Sequence, residues 1–556
     1  MEQHENINAS KKVLFNGHIT LNSINEFSTA CSEAGFKNND IIKLFAALRL
    51  KYPKKYEIPY ELGHIYAAEG DLYQAALCFA QSLDLSSESC DENDMLFYLF
   101  SQISNAEEKF ELMYRIAIAD SISIQLRYRI FYEIIYSNFI GIGVNNASYN
   151  INELFSKIIH LITEKNIQYN KHNSNDGSKN VILMPSQFLG PLHGPTQTTL
   201  VIANSLVEMG YEPIIIASNP IQFDKKYTTP SCLLHPNIVS SYNRNATFHI
   251  DESGIKYGQG VHQFSTIINR GNEYPFVHLN GSFDEKIAFL PNLLEDFIKK
   301  NTPIIAIGSP HLHAEIMAMY INVYLLPCSF SLPMTENCHS ILCRNIKDSE
   351  SKKAKEYKYE LIESRFPYGI RFNALNDGTS NLDTTKASQI SFSLVGGRLE
   401  LEIEDIMMVR LSEIQKIYPD AIFKFIGVDG NDKFKNRLSN YISLTNCVFT
   451  GFVKDIKLEL IKTHFYLNPK RNGGGTSVLE ALSLSIPTIC FKSGDGYHTA
   501  GDFFSFDDNL EALTFISKYL NDSEFKKNVT AECIHSYILN TDVKKVINDL
   551  TRGRLS

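Results

Sequence analysis

The sequence lacks several features that would assign it to a specialised class of protein. Its 10 cysteines form no Cys-x-x-Cys pair and no zinc-binding spacing, so we expect reduced and mostly buried thiols. No clean apolar run of about 20 residues occurs, because the longest apolar stretch, residues 128–144, contains Arg129 and Glu133. The first residues are polar and acidic, which argues against a secretory signal peptide.

An excess of positive charge is also missing. The formal net charge is −9, which argues against duplex nucleic acid as a partner. The composition, 44% hydrophobic and 21% charged, is typical of soluble globular proteins, and 556 residues are enough for more than one domain. We therefore expect a cytoplasmic protein, free or peripheral at the inner face of the cell membrane.

Helix-forming residues with apolar positions three and four apart predict an all-α domain over residues 1–167. The spacing of its small and large residues is that of a tetratricopeptide-like unit, with Leu62, Gly63, Tyr66, Gly70, Ala75 and Phe79 at the expected offsets. Gly35, 35 residues before Gly70, indicates a second and more degenerate copy. Either a generic helical-hairpin domain or a repeat-like surface that binds protein would fit this pattern.

Strand and helix patterns alternate through the rest of the chain and predict an α/β fold. A polar linker is expected at residues 168–180, followed by one Rossmann-like domain over 181–370 and a second over 385–556. In the first domain, strands are expected at 181–184, 211–217, 276–279 and 303–307. In the second domain, strands are expected at 391–395, 422–426, 448–450, 465–467 and 488–491. Ligands of such folds bind at the carboxyl ends of the strands.

A strand, a glycine-rich loop and a helix start follow one another over residues 466–482. Three consecutive glycines, Gly473 to Gly475, let the backbone approach a bulky anion closely, and the first N–H groups of the helix point at it. Lys470 and Arg471 add positive charge beside the loop. The pattern therefore predicts a phosphate-binding site.

Residues 390–510 resemble the nucleotide-sugar-binding half of GT-B glycosyltransferases, of the family 4 type. The resemblance lies in the strand-turn Leu394-Val-Gly-Gly-Arg398-Leu399, the segment Thr450-Gly451-Phe452-Val453 and the loop and helix from Asn472 to Glu480. Residues 180–365 resemble the other half of these enzymes only loosely. The resemblance implies a GT-B fold and retaining, metal-independent transfer from a nucleoside-diphosphate sugar, with a UDP-sugar favoured.

The resemblance gives Arg398 the role of neutralising the donor's diphosphate as the leaving group gains charge. A companion lysine of the family falls at Ile403, which departs from the pattern. Lys470 or Arg471 would supply the missing charge, or would simply be exposed to solvent.

Glu480 matches the second glutamate of the family's pair, which accepts hydrogen bonds from the donor's ribose. Alternatively, Ser477 and Glu480 form a capping box for the helix. The first glutamate of the pair is Asn472 here, which puts any mechanism that needs a carboxylate at that position in doubt.

The remaining site residues are predicted on both domains. His278 is expected to act in catalysis with Arg398 and Glu480, and His193 and Thr196 are expected to position the acceptor or the sugar. A structural role satisfied by the backbone is the alternative for both histidines. The predicted donor-binding residues are Gly194, Arg398, Lys470, Asn472, Gly474, Gly475, Thr476, Ser477 and Glu480.

No metal or other cofactor is expected. The sequence has no Asp-x-Asp motif to hold a cation, and His311 and His313 have the spacing of a metal pair without an apparent third ligand. We expect a glycosyltransferase of bacterial surface polysaccharide synthesis, acting on capsule, O-antigen or cell-wall glycan. A protein glycosyltransferase acting on an adhesin or flagellin, and a catalytically inactive GT-B scaffold with a protein partner, are the alternatives.

Overall fold

The computed structural model gives two compact units, one made mainly of residues 1–168 and one made mainly of the rest of the chain. The residues that it describes are 19–86, 95–139, 151–166, 179–186, 188, 194–218, 246–250, 255–257, 260–269, 271–279, 283–300, 302–328, 330, 332–356, 361–368, 389–471, 473–552 and 555.

The first unit is helical. Its helices are α1 (Leu21–Glu33), α2 (Asn38–Lys51), α3 (Glu57–Ala68), α4 (Leu72–Leu85), α5 (Met95–Gln102), α6 (Ala106–Ile118), α7 (Ile124–Phe139) and α8 (Ile151–Asn166). Helices α1, α4 and α6 begin on a side-chain cap, as where Asn105 accepts from the N–H groups of Glu107 and Glu108 in α6. The all-α expectation for this part of the chain is confirmed.

Helices α1 to α4 form two hairpins of similar design. Gly35 and Gly70 take φ values of +83° and +82° in the turns after α1 and α3. Gly63 lets α4 approach α3 closely, because a Cβ there would lie 2.6 Å from Cδ1 of Phe79. This is the small-against-large packing that a tetratricopeptide-like unit requires, while protein binding by this surface stays a prediction.

The second unit begins with an α/β segment. Its elements are β1 (Asn180–Pro185), α9 (Gly194–Glu208), β2 (Glu212–Ala217), β3 (Ala246–Ile250), β4 (Ile255–Tyr257), β5 (Gly260–Asn269), β6 (Asn272–His278), α10 (Phe283–Leu293), α11 (Glu295–Lys299), β7 (Ile304–Ile307), α12 (Leu312–Ala318), β8 (Val323–Leu326), β9 (His339–Leu342), α13 (Asp348–Glu356) and β10 (Leu361–Glu363). The first six residues of α10 belong to the other compact unit.

These strands form a sheet in the order β10-β9-β8-β7-β1-β2-β6-β5-β3. Strands β10 to β6 are parallel along this order, whereas β5 pairs antiparallel with β6, β3 and β4. The strand order reverses between β1 and β7, which pair from Ile182 with Ile304 to Pro185 with Ile307. Loops after these two strands therefore flank a crevice at one edge of the sheet.

A second α/β segment follows. Its elements are β11 (Ser391–Val395), α14 (Leu399–Glu402), α15 (Asp405–Ile417), β12 (Ile422–Ile426), α16 (Asp432–Ser439), β13 (Cys447–Phe449), α17 (Ile456–Leu460), β14 (Phe465–Leu467), α18 (Gly475–Ser483), β15 (Thr488–Ile489), α19 (Gly494–Ala500), α20 (Asn509–Asn521), α21 (Ser523–Leu539) and α22 (Val543–Thr551).

The second sheet is parallel, in the order β13-β12-β11-β14-β15. Stacked aromatic rings fill its faces, as where Phe392 lies 5.3 Å from Phe465 and 5.7 Å from Phe423, between ring centroids. Burial on both faces explains why these strands read as short apolar runs. The order reverses between β11 and β14, which places a second crevice after those strands.

The two α/β segments contact each other at several points. Helix α22 packs against α9 and strands β8 to β10 of the first sheet. Ser364 Oγ donates to Asp549 Oδ2 at 2.8 Å, and the N–H of Tyr368 donates to the carbonyl of Asn540 at 3.2 Å. The last helix of the second α/β segment, α22, therefore packs on the first α/β segment.

The predicted fold class, two Rossmann-like segments preceded by an all-α region, is confirmed. In the second segment the strands occur as expected, apart from shifts of one or two residues at β13 and β15. Strands β3, β4, β5, β8, β9 and β10 were not predicted. In the part of the chain that the structure describes, no helix has the length and apolar character needed to cross a membrane.

Candidate functional site

Two loops meet at the reversal point of the second sheet. The β11 loop, residues 396–398, follows β11, and the β14 loop, residues 468–474, follows β14. The two strands are hydrogen-bonded neighbours through Phe392 and Phe465. This is the position at which open parallel sheets bind ligands, so the loops define the candidate site.

Arg398 ends the β11 loop and stands at the N-cap position of α14. Its Nε and Nη2 each lie 3.0 Å from Oε1 of Glu402, one helical turn later. The Arg398 side chain is 39% exposed. The Arg398 guanidinium, which is predicted to bind the diphosphate, is thus held on one edge by the Glu402 carboxylate and remains accessible to solvent.

Glu402 binds a second arginine through its other oxygen. Nη1 of Arg471, on the β14 loop, lies 2.6 Å from Glu402 Oε2, and the Glu402 side chain is only 9% exposed. Burial raises the pKa of Glu402, but Arg471 and Arg398 outweigh it and hold that pKa below its ordinary value. The carboxylate therefore stays ionised between two guanidinium groups.

Arg471 is buried beneath the loops and is fully engaged. Its Nη2 donates to the carbonyl of Val395 at 2.9 Å and to Oδ1 of Asn468 at 3.0 Å, and its Nε donates to the same oxygen at 3.2 Å. Burial lowers its pKa, but Tyr466 and Glu402 raise it to a net value above the ordinary one. Arg471 thus supports the loops from below, whereas Lys470 is exposed to solvent.

Asn468 connects the β14 loop to the next strand and helix. It is 1% exposed, and its Oδ1 also accepts from the hydroxyl of Tyr466 at 3.2 Å. Its Nδ2 is buried without a hydrogen-bond partner among the residues that the structure describes. That nitrogen lies against Gly496 of α19, where a Cβ would come within 2.9 Å of the Asn468 Cγ.

Helix α18 begins directly on the glycine loop. Gly474 is its N-cap residue, with φ +99°, and offers no side chain to the first N–H groups. Gly475 is buried, Thr476 is exposed, and Ser477 turns its hydroxyl back to the carbonyl of Gly474 at 3.0 Å. The first-turn N–H groups of a helix have no partner within the helix, so this start provides anion-binding donors.

Glu480 lies in the second turn of α18, which rules out the capping box with Ser477 that the sequence left open. Its Oε2 is 3.4 Å from Nζ of Lys457, an ion pair without a well-formed hydrogen bond, and both side chains are about one-fifth exposed, 20% and 21%. Burial raises the pKa of Glu480, and Lys457 opposes the shift. Its predicted role toward the ribose stays a prediction.

Helix α19 follows β15 and lies next to the β14 loop, because Gly496 is close to Asn468. Asp495, in its first turn, accepts from the N–H of Phe330 at 3.3 Å, and burial raises the pKa of Asp495 to about 7. The hydroxyl of Tyr368 lies 2.9 Å from Oγ1 of Thr499 and against the Cα of Gly475. Residues of the first α/β segment therefore reach the start of α18.

The predicted residues of the first α/β segment are described only in part. Gly194 begins α9, and the side chain of Thr196 is fully buried within that helix, so its contact with a sugar stays a prediction. His278 ends β6, where its backbone pairs with Ala217. His193, and Asn472 on the β14 loop, lie outside the described residues.

His311 has a structural role. Its Nδ1 accepts from the N–H of Ala314 at 3.2 Å, and its Nε2 donates to the carbonyl of Met184 at 2.8 Å, so it caps α12 and ties it to β1. Burial lowers its pKa to about 4, which keeps the ring neutral. Among the described residues, no group of three or more His, Cys, Asp or Glu side chains is arranged to hold a metal ion.

Sequence reasoning missed the supporting residues Glu402, Asn468 and Tyr368. Glu402 stands four residues after Arg398 near the start of a helix, and this spacing is the pattern of an intrahelical ion pair, so it was detectable. Asn468 and Tyr368 act through contacts made only in the folded chain. No local pattern identifies such residues.

Comparison with known proteins places the fold. The chain is similar over its whole length to a mutant form of the O-GlcNAc transferase of Thermobaculum terrenum, with a TM-score of 0.52, 11% identity and coverage of 100% of this chain and 98% of that chain. Weaker likenesses, each with a TM-score of 0.40, join it to the pneumococcal O-GlcNAc transferase GtfA in complex with UDP and GlcNAc (11% identity; 69% of this chain, 99% of that chain) and to WaaG, a glycosyltransferase involved in lipopolysaccharide biosynthesis (12%; 66% and 99%).

No protein-family model matches the chain, and no curated protein matches it. The likeness to the Thermobaculum terrenum enzyme over the whole chain shows that the protein has the GT-B fold of glycosyltransferases, as the sequence motifs indicated. Within that class its structural neighbours include O-GlcNAc transferases and a lipopolysaccharide glycosyltransferase.

Proposed function

We propose that this protein transfers a sugar from a nucleoside-diphosphate sugar, most simply a UDP-sugar, to an acceptor. The observation that carries the proposal is the meeting of Arg398 with the start of α18 at the reversal point of the second sheet. We infer that the guanidinium of Arg398 and the first N–H groups of α18 face one crevice there. Together they would form a site for a diphosphate.

The chemistry of transfer uses this arrangement. As the bond between sugar and diphosphate breaks, negative charge grows on the departing nucleoside diphosphate. Arg398 and the N–H groups of Gly475 and Thr476 would stabilise that charge without reorganising, which lowers the barrier. Because the chain supplies this positive field itself, we propose metal-independent transfer, with retention of the anomeric configuration as the GT-B resemblance implies.

Other residues would fix the donor and the acceptor. Glu480, whose Oε2 pairs with Lys457 at 3.4 Å, would accept hydrogen bonds from the ribose hydroxyls. Lys470, Asn472, Gly474 and Ser477 would line the donor side. His278, with Gly194, His193 and Thr196, would act on the transferred sugar and the acceptor.

We propose a glycan or glycolipid acceptor in bacterial surface polysaccharide synthesis, at or near the inner face of the membrane. A polypeptide acceptor is the second candidate, because the likeness to an O-GlcNAc transferase includes the helical unit. An inactive scaffold is the third, because Ile403, where the family has a lysine, is fully buried and adds no charge to the site.

To test this proposal, the purified protein is assayed with a panel of UDP- and GDP-sugars, beginning with UDP-GlcNAc. Release of nucleoside diphosphate is measured with and without acceptors. We expect turnover that Arg398→Ala lowers about 10²–10³-fold, the usual cost of a preorganised charge-stabilising donor. Turnover should persist in EDTA. Lys545→Ala, which removes an exposed cation of α22 outside the proposed site, serves as the comparison for a general loss of positive charge.

The outcomes separate the three candidates. Transfer to glycan or glycolipid supports the first acceptor class, and transfer to an unfolded adhesin or flagellin supports the second. Binding of nucleotide without turnover on any acceptor would establish the scaffold. Full activity in Arg398→Ala would contradict the proposed donor site.

A further inference from the structure

Glu402 connects the two loops of the candidate site through opposite oxygens. Its Oε1 receives Arg398 of the β11 loop at 3.0 Å, and its Oε2 receives Arg471 of the β14 loop at 2.6 Å. One carboxylate therefore bridges the two guanidinium groups. The Arg471 pair joins residues that are 69 positions apart in the chain.

The two arginine side chains differ in exposure to solvent. Arg471, with a side chain 8% exposed, is anchored from below by the carbonyl of Val395 and the amide oxygen of Asn468. Arg398 is 39% exposed, and Glu402 holds its Nε edge. The buried Arg471 therefore fixes Glu402, and Glu402 in turn fixes the solvent-accessible Arg398.

The neighbouring residue makes this support more important. Ile403 is fully buried, and its carbonyl accepts a hydrogen bond from Arg437, so α14 presents no second cation next to Arg398. The orientation of the Arg398 guanidinium then determines how well the negative charge on the leaving group is stabilised. Mutation of the groups that orient metal ligands commonly lowers activity about 10–100-fold, and we expect the same scale for a group that orients a charge-stabilising arginine.

We propose that Glu402 is a positioning residue for sugar transfer, which holds the Arg398 guanidinium in the orientation that meets the donor's diphosphate, and that Arg471 in turn holds Glu402. This inference rests on the proposed function. Glu402 itself touches no substrate. Its effect reaches the reaction only through Arg398.

The first experiment is Glu402→Gln, assayed by UDP release from UDP-GlcNAc or from another active donor of the panel. We expect kcat to fall about 10–100-fold and KM to change little, because orientation matters most where charge develops in the transition state. The matched control is Glu400→Gln on the same short helix. Glu400 accepts from the N–H of Asn431 at 2.9 Å, and in the described part of the chain it pairs with neither arginine, so kcat should stay within about twofold.

A double-mutant cycle tests the route of the effect. In an Arg398→Ala background, Glu402→Gln should cost almost nothing, because the group that it positions is gone. Additive losses would overturn the proposal. If Arg398→Ala is fully active, the proposed function itself fails, whereas a strong Arg398→Ala loss with Glu402→Gln equal to Glu400→Gln overturns only the positioning role.

A third variant separates positioning from folding. Glu402→Asp keeps the negative charge beside Arg471 but is one methylene shorter, so the thermal unfolding midpoint should recover toward that of the unmodified chain while kcat stays low. A kcat that rises and falls with the unfolding midpoint across Glu402→Gln and Glu402→Asp would show a purely structural role and overturn the proposal.

Discussion

At Gly474 the backbone takes a conformation that side chains other than glycine rarely adopt. Its φ is +99°, and a Cβ there would overlap Oδ1 of Asn468 and come within 2.7 Å of Nε of Arg471. Gly473, one residue earlier, would meet nothing within 4 Å. Adjacent glycines of one loop are therefore under different physical constraints.

Gly474→Ala should lower the free energy of unfolding by about 1–3 kcal/mol, because it adds left-handed strain and disturbs the network of Asn468 and Arg471. Gly473→Ala should stay within about 0.5 kcal/mol. Chemical denaturation of both variants measures the difference. Equal costs would show that the strain and crowding at Gly474 have no energetic consequence.

The residue scale also shows what sequence alone could reach. Arg398, Gly474 and Glu480 were predicted from a local motif, and the structure brings Arg398 and the glycine loop to one crevice. The alternative that Arg471 supplies charge to phosphate fails on geometry, since its nitrogens bind Glu402, Val395 and Asn468. That burial depends on a partner 69 residues away, which no local pattern reveals.

At the scale of elements, the second sheet was predictable because turn residues bound each short apolar run and helices alternate with the strands. The antiparallel strands β3 to β5 were not predicted, because the alternation of strands and helices favours parallel strands and no sequence pattern marked where the alternation stops. Strands β8 and β9, with only four residues each, are short runs that could equally be parts of buried helices. Helix α19 has no helical pattern in the sequence, because its first residues, Gly494 to Gly496, are typical of turns.

Helix α19 carries two ionisable groups with opposite pKa shifts. Burial raises the pKa of Asp495 to about 7. Burial, together with Arg344, Lys347 and Arg365, lowers the pKa of His498 to about 4, and its ring stacks on Phe330 at 5.0 Å. Between pH 4 and about 6.5 the folded state thus keeps a proton on Asp495 that the unfolded state has lost, and lacks one on His498 that the unfolded state holds.

The signs of these two linkages are opposite. A raised carboxyl pKa makes stability fall as pH rises from about 4 to 7, and a lowered histidine pKa makes stability rise from about 4 to 6.5. In Asp495→Asn the free energy of unfolding should therefore rise more steeply with pH than in the unmodified chain. In His498→Gln it should fall relative to the unmodified chain as pH rises. Urea unfolding from pH 4 to 7.5 measures both, and parallel curves for all three proteins would refute the assignment.

At the scale of the whole molecule, the last helix ties the second α/β segment to the first sheet. Ile547 of α22 is 1% exposed, and α22 packs against β8 to β10, whereas Lys545 on the same helix is exposed. The two segments should therefore lose stability together when this contact is damaged.

Ile547→Ala should lower the free energy of unfolding by about 2–4 kcal/mol, the cost of a cavity in a packed core, and Lys545→Ala by less than about 0.5 kcal/mol. Hydrogen exchange should also become faster in β8 for Ile547→Ala. Unchanged protection in β8 would mean that α22 contributes nothing to the stability of the first sheet.

The hydrogen bond from the N–H of Tyr368 to the carbonyl of Asn540 joins the end of the first α/β segment to the C-cap residue of α21. The Tyr368 hydroxyl also lies 2.9 Å from Oγ1 of Thr499 and next to Gly475, at the start of α18. A side chain at position 475 would overlap that hydroxyl. The first residue of α18 therefore has to be a glycine for Tyr368 to keep this place.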